Sequence, residues 1–169
     1  MNIEDIVNNI ETWIKDENDP KIKATRDIQY DGKNQPFLLK IIYSYPSADL
    51  PISIFKPLTY KNKISIYSGV RLDEEQKESF HALRTESKNE IISEWSRGLL
   101  FMNLPARLYY DKDNKFSEII IQEFIYSDGI TRDRVMNSIL KISNAYGFII
   151  ATFKKYNIMQ KGFDPSDLI

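Results

Sequence analysis

The sequence predicts an α+β domain. An antiparallel or mostly antiparallel sheet of about five or six strands packs against three helices, in the order α-β-β-β-β-α-β-β-α. Three observations carry this. Apolar residues recur at helical spacing at both ends of the chain and in a long central run. Strand-length segments bounded by Asp, Asn, Gly and Pro fill the gaps between those runs. The two strongest of these segments, Phe37 to Tyr45 and Phe116 to Tyr126, are apolar on both faces, as strands covered on two sides are.

Ile3, Ile6, Val7, Ile10, Trp13 and Ile14 form one stripe of a first helix. Asn2 suits its N-cap, Glu4 and Asp5 complement its positive end, and Asp16 to Pro20 stops it. A weak strand from Ala24 to Tyr30 and the turn Asp31-Gly32-Lys33-Asn34 lead into Phe37 to Tyr45. In that strand Phe37, Leu39, Ile41, Tyr43 and Tyr45 face one way, and Leu38 and Ile42 the other. Pro46, Pro51 and Pro57 delete ladder donors, so Ile52 to Lys56 reads as an edge strand. Ile64, Ile66 and Val70 alternate with polar or small residues in the next strand.

Asp73 with Gln76 is a capping box that opens a helical run reaching Asn103. A continuous helix there would be roughly 45 Å long. Its middle, Arg84 to Glu90, has no apolar residue, so either the helix breaks there or a turn or two spans solvent. Ile92, Trp95, Leu99 and Met102 share one face of the second half, and Leu104-Pro105 ends it. A hairpin follows: Arg107 to Tyr110, the turn Asp111 to Asn114, then Phe116 to Tyr126. Thr131 caps the closing helix. On it Val135, Ile139, Ile142, Tyr146, Ile149 and Phe153 repeat in steps of four and three, the spacing of a coiled-coil seam. Met136, Leu140, Gly147 and Ala151 form a second stripe, and a polar tail follows Lys154, expected to fray.

At 169 residues the chain is long enough to bury a core as a single domain. Its 42% hydrophobic and 28% charged residues are those of a soluble globular protein. A net charge of −1 draws it to neither nucleic acid nor anionic lipid, so neither is an expected partner. Cysteine is absent, which excludes disulfide frameworks, thiolate catalysis and Cys-built zinc sites. The acidic start lacks the features of a secretory signal, and no apolar run approaches the length of a membrane span. The expected location is the cytoplasm.

His81 is the only histidine, beside Arg84 on a charged helix, and reads as a solvated surface residue. Asp111 to Phe116 starts like a calcium loop but lacks the required Gly and bidentate Glu, so it reads as a hairpin turn. No phosphate-cradling, nucleophile-elbow or zinc-protease motif occurs. No metal or cofactor is therefore expected, and no catalytic residue is assigned. Glu123 interrupts the inward series Ile119, Ile121, Ile125, and a buried carboxylate needs a partner, for which Arg107 across the hairpin is the candidate. Ten tyrosines include Tyr43, Tyr45, Tyr109 and Tyr126 on expected strands, where wet hydroxyls and apolar rings suit a binding surface.

These blocks together, the first helix, the strands between Ala24 and Val70, the helix ending Trp95-Ser96-Arg97-Gly98-Leu99-Leu100, the hairpin Arg107 to Tyr126 and the closing helix, resemble the fold of the type III secretion chaperones and of uncharacterised archaeal and bacterial relatives sharing it. The resemblance implies an α+β domain that dimerises and, in the chaperones, wraps an extended partner segment on apolar grooves. The residues reach a similar place independently, because strands apolar on two faces require more cover than three helices supply. A two-fold homodimer is expected, with Val135 to Phe153 as its seam. Two functions follow. One is a non-enzymatic module holding a protein or peptide on an apolar groove, with Tyr43, Tyr45, Tyr109, Glu123 and Tyr126 as candidate contacts. The other is a small enzyme or ligand-binding domain with a pocket around Glu123 and Arg107.

Overall fold

The computed structural model describes residues 3–17, 22–26, 38–45, 48–55 and 62–159. The observed order is α1 (Ile3–Asp16), β1 (Ile22–Arg26), β2 (Leu38–Tyr45), β3 (Ala48–Phe55), β4 (Lys63–Arg71), α2 (Glu74–Ala82), α3 (Thr85–Phe101), β5 (Ala106–Tyr110), β6 (Phe116–Tyr126) and α4 (Arg132–Lys155). A short 3-10 turn, Ser127–Gly129, precedes α4. The strands form a six-stranded sheet in the order β1-β2-β3-β4-β6-β5. The fold is α+β, as the hydrophobic rhythm requires, with four α-helices because the long central run is two. The expected cap at Asn2, the turn at residues 31–34 and the tail beyond 159 lie outside the described residues.

Contacts divide the chain into two compact units, residues 1–68 with 122–142 and residues 69–121 with 143–169. In the first unit, Ile6, Val7, Ile10 and Ile14 of α1 are buried, as their spacing predicts. β1, β2 and β3 form an antiparallel meander, with Ile41 opposite both Ala24 and Ile52. Proline does not put β3 on an edge. The described β3–β4 pairs run from Ser53↔Tyr67 to Phe55↔Ser65, beyond Pro51. The missing donor of Pro51 therefore costs none of those bonds, and its carbonyl accepts from Ser68 Oγ at 2.7 Å.

The second unit is built around an aromatic cluster. Trp95 lies 4.9 Å from Phe153 and 5.6 Å from Phe116, ring centre to ring centre, and Phe80 lies 5.0 Å from Phe116. Offset and edge-to-face pairs like these add about 0.5–1.5 kcal/mol each beyond their burial. The predicted capping box opens α2: Asp73 accepts from Gln76 N–H, and the Gln76 side chain accepts from Asp73 N–H. The central helix breaks at Leu83 and Arg84, both extended, at the start of the stretch without apolar residues.

Two helices end alike. Asn103 at φ 51° and Asn157 at φ 56° take the left-handed conformation after α3 and α4. Leu104 N–H then donates to the Leu99 carbonyl and Ile158 N–H to that of Phe153, both at 2.9 Å. Leu104 and Ile158 are buried, so each end is a Schellman motif with its apolar contact. Gly98 serves packing rather than conformation, since a Cβ there would stand 2.4 Å from the Phe148 ring.

Candidate functional site

An apolar groove lies in the second unit. It has a volume of about 290 Å³ and runs between α3 and β5. Ile92, Trp95, Ser96, Leu99 and Leu100 form its helical wall, and Ala106, Leu108 and Ile119 its sheet side. Register explains the sheet side. Ala106 stands opposite Ile121, Leu108 opposite Ile119 and Tyr110 opposite Phe116, so these residues share the helix-bearing face. Arg107 and Tyr109 oppose Ile120 and Glu118 on the other face. Leu100, on the groove wall, is 78% exposed, and Phe101, which follows it in α3, is 91% exposed. A second concavity, about 570 Å³, is polar and lined by Glu86, Glu90, Glu94, Arg97, Lys155 and Tyr156 among others. There Lys155 Nζ donates to Glu94 at 2.9 Å, and that bond holds the ammonium above its ordinary range.

Glu123 is buried, as the inward series requires, with 8% of its surface exposed. Its partners are cations of α4, not Arg107. Arg134 donates to Oε1 at 3.0 Å and Lys141 at 3.4 Å. Arg107 is exposed on β5. Helix α4 supplies the pair because residues 134 and 141, seven apart, return to one face after two turns. Glu123 Oε2 is buried without a hydrogen-bond partner among the described residues. Neither concavity includes this carboxylate. The arrangement is a structural ion pair with no substrate space described beside it.

Of the candidate tyrosines, Tyr43, Tyr45 and Tyr126 belong to the first unit and Tyr109 to the second. Tyr109 and Tyr126 are exposed. Tyr43 and Tyr45 stand opposite Leu50 and Ala48 in the β2–β3 ladder, and their side chains lie outside what is described. Tyr126 shares the outer face of the first unit with Phe124. Lys63 Nζ sits 3.7 Å from the Phe124 ring centre and 5.9 Å from that of Tyr126. Phe124 and Ile120 are half-buried, so the second face of β6 is partly covered.

The dimer seam is corrected. Val135, Ile139, Ile142, Ile149 and Phe153 are all buried within the chain, and Tyr146 is half-buried, which raises its phenol above the usual range. A stripe already packed into its own fold offers no seam to a partner. The residues that are exposed, Leu100 and Phe101, carried a signal in the run Leu99-Leu100-Phe101. Three consecutive apolar positions on a helix span too wide an arc to face one core.

His81 is exposed, and no group of acids and histidine able to hold a metal occurs among the described residues. Asp111 forms the turn expected of it, accepting from the backbone N–H of Lys115 and of Asp113, both at 2.9 Å. No helix among the described residues is long and apolar enough to cross a membrane.

No curated protein matches the chain. An uncharacterized protein from Methanothermobacter thermautotrophicus has a similar crystal structure, at 20% identity and a TM-score of 0.69, over 89% of this chain and 97% of that one. At that identity the likeness shows the fold alone. Residues 6–153 match the model of the family described as uncharacterized conserved protein DUF2299, and the chain belongs to that family.

Proposed function

We propose that this protein is a non-enzymatic binding module that holds an apolar segment of a partner protein in the α3–β5 groove. One observation carries the reading: the groove is lined almost wholly by apolar side chains, and one of them, Leu100, is 78% exposed, with Phe101 next to it in the chain also in solvent. Exposed apolar side chains gathered beside such a groove mark an interaction surface. Their burial would contribute about 1.5–3 kcal/mol each. The resemblance of the element order in the sequence to that of the type III secretion chaperones, which hold extended partner segments on apolar grooves, favours the same reading. Glu123 held by two cations supports it further, since the competing enzymatic reading needs that carboxylate in a pocket.

The test is affinity capture from native extract with the wild type and with a Leu100→Asp, Phe101→Asp double variant. Both residues are exposed, so the variant should melt with the wild type. The reading predicts a protein captured by the wild type and lost from the variant. Equal capture by both would refute it.

A further inference from the structure

The strand β5 ends the sheet order, so among the described residues no strand pairs with its outer backbone edge. Native sheets blunt such an edge with very short strands, charged side chains, proline or a covering element, and β5 has five residues and a single charge, Arg107. The sequence Ala106-Arg107-Leu108-Tyr109-Tyr110 contains neither lysine nor proline. On it or beside it lie three of the six exposed large hydrophobic residues among those described, Leu100, Tyr109 and Tyr110. An open edge bordered by apolar surface calls for a strand with matching side chains.

The matching strand is β5 itself. We propose that β5 pairs antiparallel with the β5 of a second copy about a two-fold axis through Leu108. In that register Leu108 meets its own counterpart, and Ala106 meets Tyr110 of the partner copy. Arg107 meets the partner copy's Tyr109. Each pairing is complementary. The small Ala106 leaves room for a tyrosine ring on the helix-bearing face, and a guanidinium meets an aromatic ring on the outer face. The symmetric pairing makes the contact isologous, so it closes at two copies and uses up both β5 edges.

The second copy also completes the groove. A two-fold axis perpendicular to a sheet keeps both helices α3 on the same face. Each groove has a helical wall on one side and, on the other, Ala106 and Leu108 of β5, the strand that ends the sheet order. Pairing the edges sets the second copy's strand and helix against that strand. The two grooves become one apolar trough, floored by Ala106, Leu108 and Tyr110 of both copies. Antiparallel pairing carries Leu100 and Phe101 of each copy toward the Tyr110 end of the other. The role of the trough rests on the binding reading above, whereas the strand pairing stands independently of it.

The absence of cysteine makes the register directly testable. Directly opposed residues of antiparallel strands have Cα atoms about 4.5–5.5 Å apart, within disulfide reach. Diagonal neighbours, about 7–8 Å apart, are beyond it. Full-length Leu108→Cys, Arg107→Cys and Tyr109→Cys are oxidised with copper phenanthroline at micromolar concentration. Leu108→Cys should form a disulfide-linked dimer. Arg107→Cys and Tyr109→Cys should each stay unlinked alone and link when mixed. Arg107 and Tyr109 are exposed, so the mixing arm stays informative if Leu108→Cys folds poorly. Linking by Arg107→Cys alone, or no linking with a monomer mass at 100 μM, would overturn the pairing. Neither result touches the capture experiment, so the two proposals fail separately.

Discussion

Trp95 and Phe101 stand six residues apart on one helix, and their surroundings are opposite. Trp95 is almost fully enclosed by Phe80, Phe116 and Phe153, whereas Phe101 is 91% exposed. Ile91, Trp95 and Leu99 use the four-residue return of the helix to keep one face on the core. Leu100 and Phe101 step off that face and remain apolar. The first half of the comparison is what folding requires; the second is surplus to folding, and surplus apolar surface, part of it on a groove wall at Leu100, points to a partner.

Substitutions on the two sides should therefore separate sharply. Trp95→Ala should cost about 3–5 kcal/mol, because a large buried ring leaves a cavity its neighbours cannot fill. Chemical denaturation measures this, and a cost below 1 kcal/mol would remove Trp95 from the core. Gly98→Ala forces a methyl against the Phe148 ring, which overpacking puts at about 1–3 kcal/mol. Better helix propensity returns up to about 1 kcal/mol, so a net loss is expected in the same assay. Glu123→Gln should lower stability by about 1–2 kcal/mol, keeping the shape while removing the charge that Arg134 and Lys141 face. Arg134 is more than half exposed, which keeps the loss below that of a sealed pair. Leu100→Asp should change stability by less than about 0.5 kcal/mol while abolishing partner capture.

A pH effect is the smallest expected. The backbone N–H of Lys115, then burial acting in opposition and the N–H of Asp113, set the Asp111 carboxyl below its ordinary value. A lowered folded value means the stabilisation is present above the ordinary carboxylate range and is lost as pH falls through the folded value. Thermal melts between pH 6 and 2 should show an acid limb that is shallower in Asp111→Ala. An unchanged limb would mean that the turn contributes nothing through this carboxylate.

Much of the fold was legible because it is written in local periodicity. The α1 stripe, the Asp73 capping box, the Asp111 turn and the inward series with Glu123 all depend on residues a few positions apart. The features that depend on distant partners were not legible. Pro51 marks an edge only if both sides of β3 need donors at that point, and the β3–β4 register decides this. The stripe from Val135 to Phe153 has the same spacing whether it meets its own fold or a second chain. Glu123 was correctly expected to be buried with a cation, but the cations come from α4, whose placement over the sheet no local pattern specifies. The groove had one local sign, Leu99-Leu100-Phe101, and its other wall comes from β5.

Sedimentation equilibrium of the wild type beside Leu100→Asp, Phe101→Asp tests most directly whether the exposed side of this comparison is an interface. The wild type should weigh twice its 19.8 kDa at micromolar concentration, and the variant 19.8 kDa with an unchanged melting temperature. A wild type that stays at the single-chain mass up to 100 μM, or a variant that dimerises equally well, would contradict it.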